Sequence, residues 1–213
     1  LLFLSGVGPR ERGSKKILGP KKPDKPQHAF VQEGCKKMET EVKKISCDVL
    51  VIGSGGAGLR AAIEAFERGA DVLVVGESGF GDAHTKLAAG GINASLGVVE
   101  KKDDWAVHAA DTFDEGGKIS NPKMVEILAK NAPDAVIELA NFGVDFARNE
   151  SGQIKQRIYG AQTYPRTCYV GDFTGRAILQ ALVKKAKKLR IKQMDAIFVT
   201  HLFKKNGKIS GCF

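Results

Sequence analysis

Apolar positions along the chain switch between two periods. "CDVLVIG", Cys47–Gly53, is a short β-branched run, the pattern of a strand covered on both faces. Past a glycine loop, Leu59, Ala62, Ile63 and Phe66 recur at helical spacing and stop before Gly69. "DVLVVG", Asp71–Gly76, repeats the strand pattern. Strand, helix and strand within about 30 residues make the βαβ unit of a parallel sheet.

The following section reads as helical. In "NPKMVEILAK", Asn121 is a plausible cap and Pro122 stands in the first turn, where proline is tolerated. "PDAVIELANFG" repeats the device and ends at Gly143, so a second helix is expected there. Asn149 to Gly152 read as a turn joining two short strands. Asp172 is expected to cap a helix with Ile178, Leu179, Leu182, Val183, Ala186 and Leu189 as its buried stripe. The last stretch reads as two strands around Asn206–Gly207. Residues 1 to about 37 show no hydrophobic period and are rich in Lys, Pro and Gly, the composition of disorder. Met38 looks like a natural start, which leaves an over-extended gene start or a targeting tail as the readings of what precedes it. The expected organisation is a disordered basic tail over 1–44 and an α/β domain over 45–213.

Charge and cysteine content remove several functions. The net charge is +9, but residues 1–44 hold eleven Lys or Arg against five Asp or Glu, so +6 belongs to the tail and +3 to the rest. A nearly balanced domain gives no support for nucleic-acid binding. Cys35, Cys47, Cys168 and Cys212 are scattered, form no CxxC and suggest neither a metal site nor a disulfide framework. No apolar run approaches the roughly 20 residues that cross a bilayer. A cytoplasmic setting is the expectation.

Candidate chemistry lies in two stretches. Gly53-Ser54-Gly55-Gly56-Ala57-Gly58 is G-x-G-x-x-G, placed after a buried strand and opening a helix. The first glycine allows the tight turn, the second lets a pyrophosphate approach the backbone, and the third lets helix and strand pack closely. Free N–H groups and the positive dipole end of the helix then favour phosphate. Glu77 follows the second strand one place later than the usual ribose-binding acid, and reads either as that acid or as a solvated loop residue. The second stretch, "HTKLAAGGINASLG" from His84 to Gly97, sets one imidazole beside backbone nearly stripped of side chains. Such a ribbon suggests that something large and flat lies against it.

With both stretches in view, the sequence resembles the flavoprotein subunit of succinate dehydrogenase and fumarate reductase, whose wider family includes L-aspartate oxidase. The resemblance covers about Cys47 to Phe213 and includes "VIGSGGAGLRAA", "HTKLAAGGINASLG", "DDWAVHAADTFDEGG", "IYGAQTYPRTCYVGDFTGRAIL" and "GKISGC". It implies a Rossmann-like FAD-binding domain with a parallel sheet, followed by the beginning of an α+β capping domain. It implies FAD as cofactor, with Gly53, Ser54, Gly55, Gly56, Ala57 and Gly58 at the pyrophosphate. Thr85, Ala89, Gly90 and Gly91 would run along the flavin ring, and His84 would be bonded covalently to the FAD methyl carbon. Family members without that bond, such as L-aspartate oxidase, generally lack the histidine, so His84 favours the succinate/fumarate branch.

The resemblance also implies a dicarboxylate substrate near Gly90 and Tyr159, where the family usually carries phenylalanine; plain core packing is the other reading of Tyr159. It implies hydride transfer to or from flavin N5. It further implies a partner in the form of an iron–sulfur subunit, through which the inner face of a membrane would be reached without insertion of this chain. Arg166 is expected to order its loop, while His28, His108 and His201 belong to no recognisable constellation. The catalytic arginine segment of the family lies beyond the point matching Phe213. The domain is therefore expected to be incomplete at its C-terminus and to turn over weakly or not at all. An L-aspartate oxidase or soluble fumarate reductase-like enzyme, and an inactive truncated flavin-binding module, are the alternatives; a nicotinamide-linked dehydrogenase leaves the His84–Gly97 stretch unexplained.

Overall fold

The computed structural model describes residues 43–213, so the expected tail over 1–44 falls outside the described residues except for its last two. The first unit is as the pattern predicts: strand β1 (Val49–Ile52), helix α1 (Gly56–Glu67) and strand β2 (Val72–Val75). Leu59, Ala62 and Ile63 are the buried face of α1. A third strand, β6 (Lys192–Met194), completes a parallel sheet in the order β1-β2-β6. Its sequence, Lys-Gln-Met, has no apolar run to announce it.

The sheet order corrects one expectation. All four residues of β2 are buried, whereas β1 is only partly buried and Ile52 is 52% exposed. β2 holds the centre, and β1 pairs with β2 alone among the described residues. The β-branched run of β1 marked a strand correctly but not its coverage.

Between β2 and β6 lie a 3-10 turn (His84–Leu87), strand β3 (Ile92–Asn93), helices α2 (Trp105–Glu115) and α3 (Pro122–Asn141), strands β4 (Gln156–Arg157) and β5 (Thr167–Cys168), and helix α4 (Thr174–Lys188). β3, β5 and β4 form a small antiparallel sheet in that order. Asn121 caps α3 by accepting from the N–H groups of Lys123 and Met124, with Pro122 in the first turn. The two expected helices are one of 20 residues, with Pro133 inside it. The stripe Val125, Ala129, Ala132, Val136 and Leu139 keeps helical spacing straight through the proline, so burial of one face outweighs the backbone bond that proline forfeits.

Asp172 does not cap α4. The cap position is Phe173, with no side-chain capping bond, and the Thr174 hydroxyl instead accepts from the Val170 N–H at 3.0 Å. The stripe of α4 is otherwise as expected, with Leu179, Leu182 and Ala186 buried and Ile178, Val183 and Leu189 packed against the core. The Asn149–Gly152 turn forms, but its flanks reduce to a single bridge between Arg148 and Ile154. Asn206 and Gly207, both at positive φ, turn the hairpin of β7 (Leu202–Lys205) and β8 (Lys208–Cys212).

One core holds these pieces together. Leu59 and Ile63 of α1, Val72 and Val74 of β2, Val136 and Leu139 of α3, and Leu179 and Leu182 of α4 share it with Phe146. Burial also pushes the Cys168 thiol up to about 12, so it behaves as a small apolar group. The described helices include none long and apolar enough to cross a membrane.

A buried ion triad fixes the segment before β5. Arg166, 1% exposed, reaches Asp103 at 2.7 Å and Asp111 at 2.6 Å. Asp111 also accepts from the Thr163 N–H at 2.8 Å and its hydroxyl at 2.7 Å. Arg166 thereby orders its loop, joining it to α2 and to the residues that lead into α2. Partial burial pushes the Asp111 carboxyl up, but the bonds from Thr163 and Arg166 prevail and hold it below its ordinary value. Because the folded pKa lies below the unfolded one, this stabilisation is present at neutral pH and is lost as pH falls through the folded value. Replacing Asp111 by Asn should therefore flatten the loss of stability below about pH 4, read by denaturant unfolding across pH. Arg166→Met should cost about 3–5 kcal/mol by the same measurement, because it strands a buried carboxylate at Asp103.

Candidate functional site

The site is assembled where α1 begins. Gly53 turns the chain at φ +106° after β1, and its N–H bonds to Val75 O at 2.8 Å. Gly58 packs directly on that turn: a Cβ there would overlap Gly53 O. Ser54 is buried, and its hydroxyl accepts weakly from the Gly81 N–H at 3.4 Å. It thereby ties the loop to the segment leaving β2. No side chain caps α1 at Gly55, and its first turn holds no acid. A helix end with a positive dipole and no local anion suits a phosphate.

The His84–Leu87 turn lies against this helix end. Thr85 accepts from the Gly56 N–H at 3.1 Å, and a Cβ on Gly56 would stand 3.2 Å from the Thr85 methyl. From the other side comes α4. Gly175 donates to Ala88 O at 2.7 Å, and a Cβ on it would overlap Thr85 O. His84 and Ala89 are exposed. Glu77 is exposed in the loop after β2. The glycine loop and the His84 stretch, 29 residues apart at the Gly56–Thr85 bond, are thus in direct contact.

The two glycines that follow differ in kind. Gly91 has φ +130°, and its hydrogens face Thr167 and the Cys168 carbonyl, 2.6 Å from where a Cβ would stand. Gly90 lies under the Tyr159 ring, whose Cε1 would be 2.7 Å from an added Cβ. Tyr159 is 59% exposed. Arg157 donates to Gly90 O at 2.9 Å. A cleft of about 260 Å³ opens beside Tyr159, reached by Asn93, His108, Glu115 and Gln162. Burial pushes the His108 imidazole below its ordinary value, and the charge of Arg166 adds to this. A larger hollow of about 620 Å³ lies between Phe80–Lys86 and α4 and contains no residue of the glycine loop.

Arg157, Tyr169 and Gly175 were not singled out from the sequence. Gly175 had a signal, since a glycine in the first turn of a well-formed helix marks close approach of another backbone. Arg157 had none, because Gly90 and Tyr169 reach it from other segments of the chain.

The fold and this surface define a Rossmann-like, dinucleotide-binding domain of the flavoprotein class: a cradle that Cβ atoms would fill, at a helix end without an acid, leading to a glycine pair. Comparison with known proteins agrees. A family model described as "FAD binding domain" matches residues 48–213. The chain belongs to this FAD-dependent oxidoreductase family, together with the flavoprotein subunits of succinate dehydrogenase and fumarate reductase.

It is 42% identical over 175 residues to a subunit of the CoM/CoB fumarate reductase of Methanothermobacter marburgensis, covering 82% of this chain and 32% of that protein. It is 38% identical over 172 residues to the succinate dehydrogenase flavoprotein subunit of Rickettsia bellii, covering 77% and 29%. Among solved structures, Mycobacterium smegmatis Sdh1 in complex with UQ1 superposes with a TM-score of 0.76 at 44% identity, over 81% of this chain and 31% of that one. The chain thus spans about a third of the length of the relatives it matches.

Gly90 and Gly91 should respond differently to a methyl group. Gly91→Ala meets backbone at an unfavourable φ and should destabilise the fold by roughly 3 kcal/mol or more. Gly90→Ala need only displace an exposed ring and should cost about 1 kcal/mol or less. Thermal unfolding of the two variants checks the order.

Proposed function

We propose that this chain is the FAD-binding part of a flavoprotein that interconverts succinate and fumarate. The observation that carries the reading is the bond from the Gly56 N–H to the Thr85 hydroxyl. It sets a phosphate-binding helix end against the His84 turn, so that one elongated ligand reaches both. The names of the relatives point the same way, at identities of 36–42%.

In this reading the backbone of Gly53, Ser54, Gly55, Gly56, Ala57 and Gly58 holds the pyrophosphate, with Glu77 at the adenosine ribose. Thr85, Ala89, Gly90 and Gly91 line the ring, and exposed His84 is the point of covalent attachment. When bound, the flavin supplies hydride acceptance and donation at N5. Gly90 offers close backbone approach to a substrate carboxylate, and Tyr159 closes over it as the aromatic wall. We assign the proton-transferring group to no described residue. The β7–β8 hairpin is taken as the start of a capping domain. The electron partner is taken to be an iron–sulfur subunit, and the chain assembles through it at the cytoplasmic face of a membrane.

The test is electrophoresis of the native protein under denaturing conditions, with succinate oxidation measured on the same preparation. Flavin fluorescence should remain with the chain and disappear in His84→Ser. That variant should still hold FAD before denaturation and should lose succinate oxidation by roughly tenfold or more, about 1.4 kcal/mol in barrier. A parent chain without fluorescence after denaturation would remove His84 as the attachment. Covalent flavin without succinate or fumarate turnover would remove the substrate assignment.

A further inference from the structure

Arg157 ends β4 opposite Thr167 of β5, which pairs in turn with Asn93 of β3. Its side chain serves the ribbon: Nη2 donates to Gly90 O at 2.9 Å. The guanidinium carbon lies 4.1 Å from the centre of the Tyr169 ring and 5.8 Å from that of Tyr159. Nε is buried and has no hydrogen-bond partner. None of the ion pairs among the described residues includes Arg157. Arg166, by contrast, has two carboxylates.

Arg157 is partly buried, and even partial burial of a cation without a counter-charge has a cost. A buried polar atom left unpartnered in a native fold needs a reason. The faces of the two tyrosine rings offset part of that cost but leave Nε without a partner. The one hydrogen bond from Nη2 places the group at Gly90, beneath the surface assigned above to the flavin ring.

We infer that Arg157 is a positioning residue of the ring-facing site, an inference that rests on the flavin reading above. It holds the Gly90 carbonyl and the Tyr159 ring in place, and it brings a fixed positive charge to bear on the ring. The oxidised ring is neutral. A hydride carries two electrons and one proton, so the ring gains one negative charge on accepting it. A cation held nearby and satisfied by no protein carboxylate therefore favours the reduced form over the oxidised form.

The experiment is redox titration of the bound flavin in the full native protein. Arg157→Met should lower the two-electron midpoint potential by about 30 mV or more, the equivalent of a tenfold loss in preference for the reduced form. Oxidised FAD should still bind at one per chain, and Arg157→Lys should recover most of the potential. If Arg157→Met does not accumulate as folded protein, Arg157→Gln makes the same comparison, keeping a donor and losing the charge. An unshifted potential in the uncharged variant overturns the inference and leaves the flavin reading standing. Equal shifts in the Lys and Met variants also overturn it, because packing alone then accounts for Arg157. A parent protein that binds no flavin overturns both.

Discussion

Three stretches of backbone approach one another more closely than side chains permit, and the rest of the molecule is arranged around that approach. The start of α1, the His84–Leu87 turn and the start of α4 meet at Gly56, Thr85 and Gly175. Gly58 does the same between α1 and the end of β1. Each contact needs a missing Cβ, and at Gly56 and Gly175 it brings an N–H group to within bonding distance of a partner distant in sequence. The core of α1, β2, α3 and α4 keeps these ends fixed, so that the loops between them have defined positions.

This arrangement produces an extended surface with a gradient of chemistry. At one end, the start of α1 offers a positive dipole and no acid. Along the middle, past His84, the Ala88–Gly91 stretch offers backbone and two methyl groups. At the far end, Tyr159, Arg157 and Tyr169 make a stacked wall behind Gly90. The Arg166 triad lies just beyond and differs in electrostatic character: its charges are mutually satisfied and buried, so it stabilises the loop and has nothing left to offer a ligand. The same residue type thus serves two ends, and the presence or absence of a carboxylate decides which.

Much of this was legible in the sequence because it rests on local rules. The glycine loop after a β-branched strand, the spacing of Leu59, Ala62 and Ile63, the Asn121 cap and the Asn206–Gly207 turn each depend on a few neighbouring residues. What was misread depends on tertiary context. Whether β1 is covered is a property of sheet order, which strand composition does not report. Pro133 reads as a break until the buried stripe on both sides of it is seen to be continuous. Asp172 satisfies the composition of a cap, yet the chain takes the following residue instead. β6 has no apolar signature because it ends the described sheet with Lys192 and Gln193 exposed. Arg157 was invisible because Gly90 and Tyr169 meet it only in the folded chain.

The central claim is that the glycine loop and the 84–91 ribbon bind a single molecule. Amide hydrogen exchange, followed as FAD is titrated into the flavin-free protein and compared with adenosine diphosphate, tests this most directly. FAD should slow exchange at Gly55–Leu59 and at Ala88–Gly91 together, with one midpoint, whereas adenosine diphosphate should slow the first segment alone. Protection of the glycine loop by FAD with no change at Ala88–Gly91 would contradict the claim.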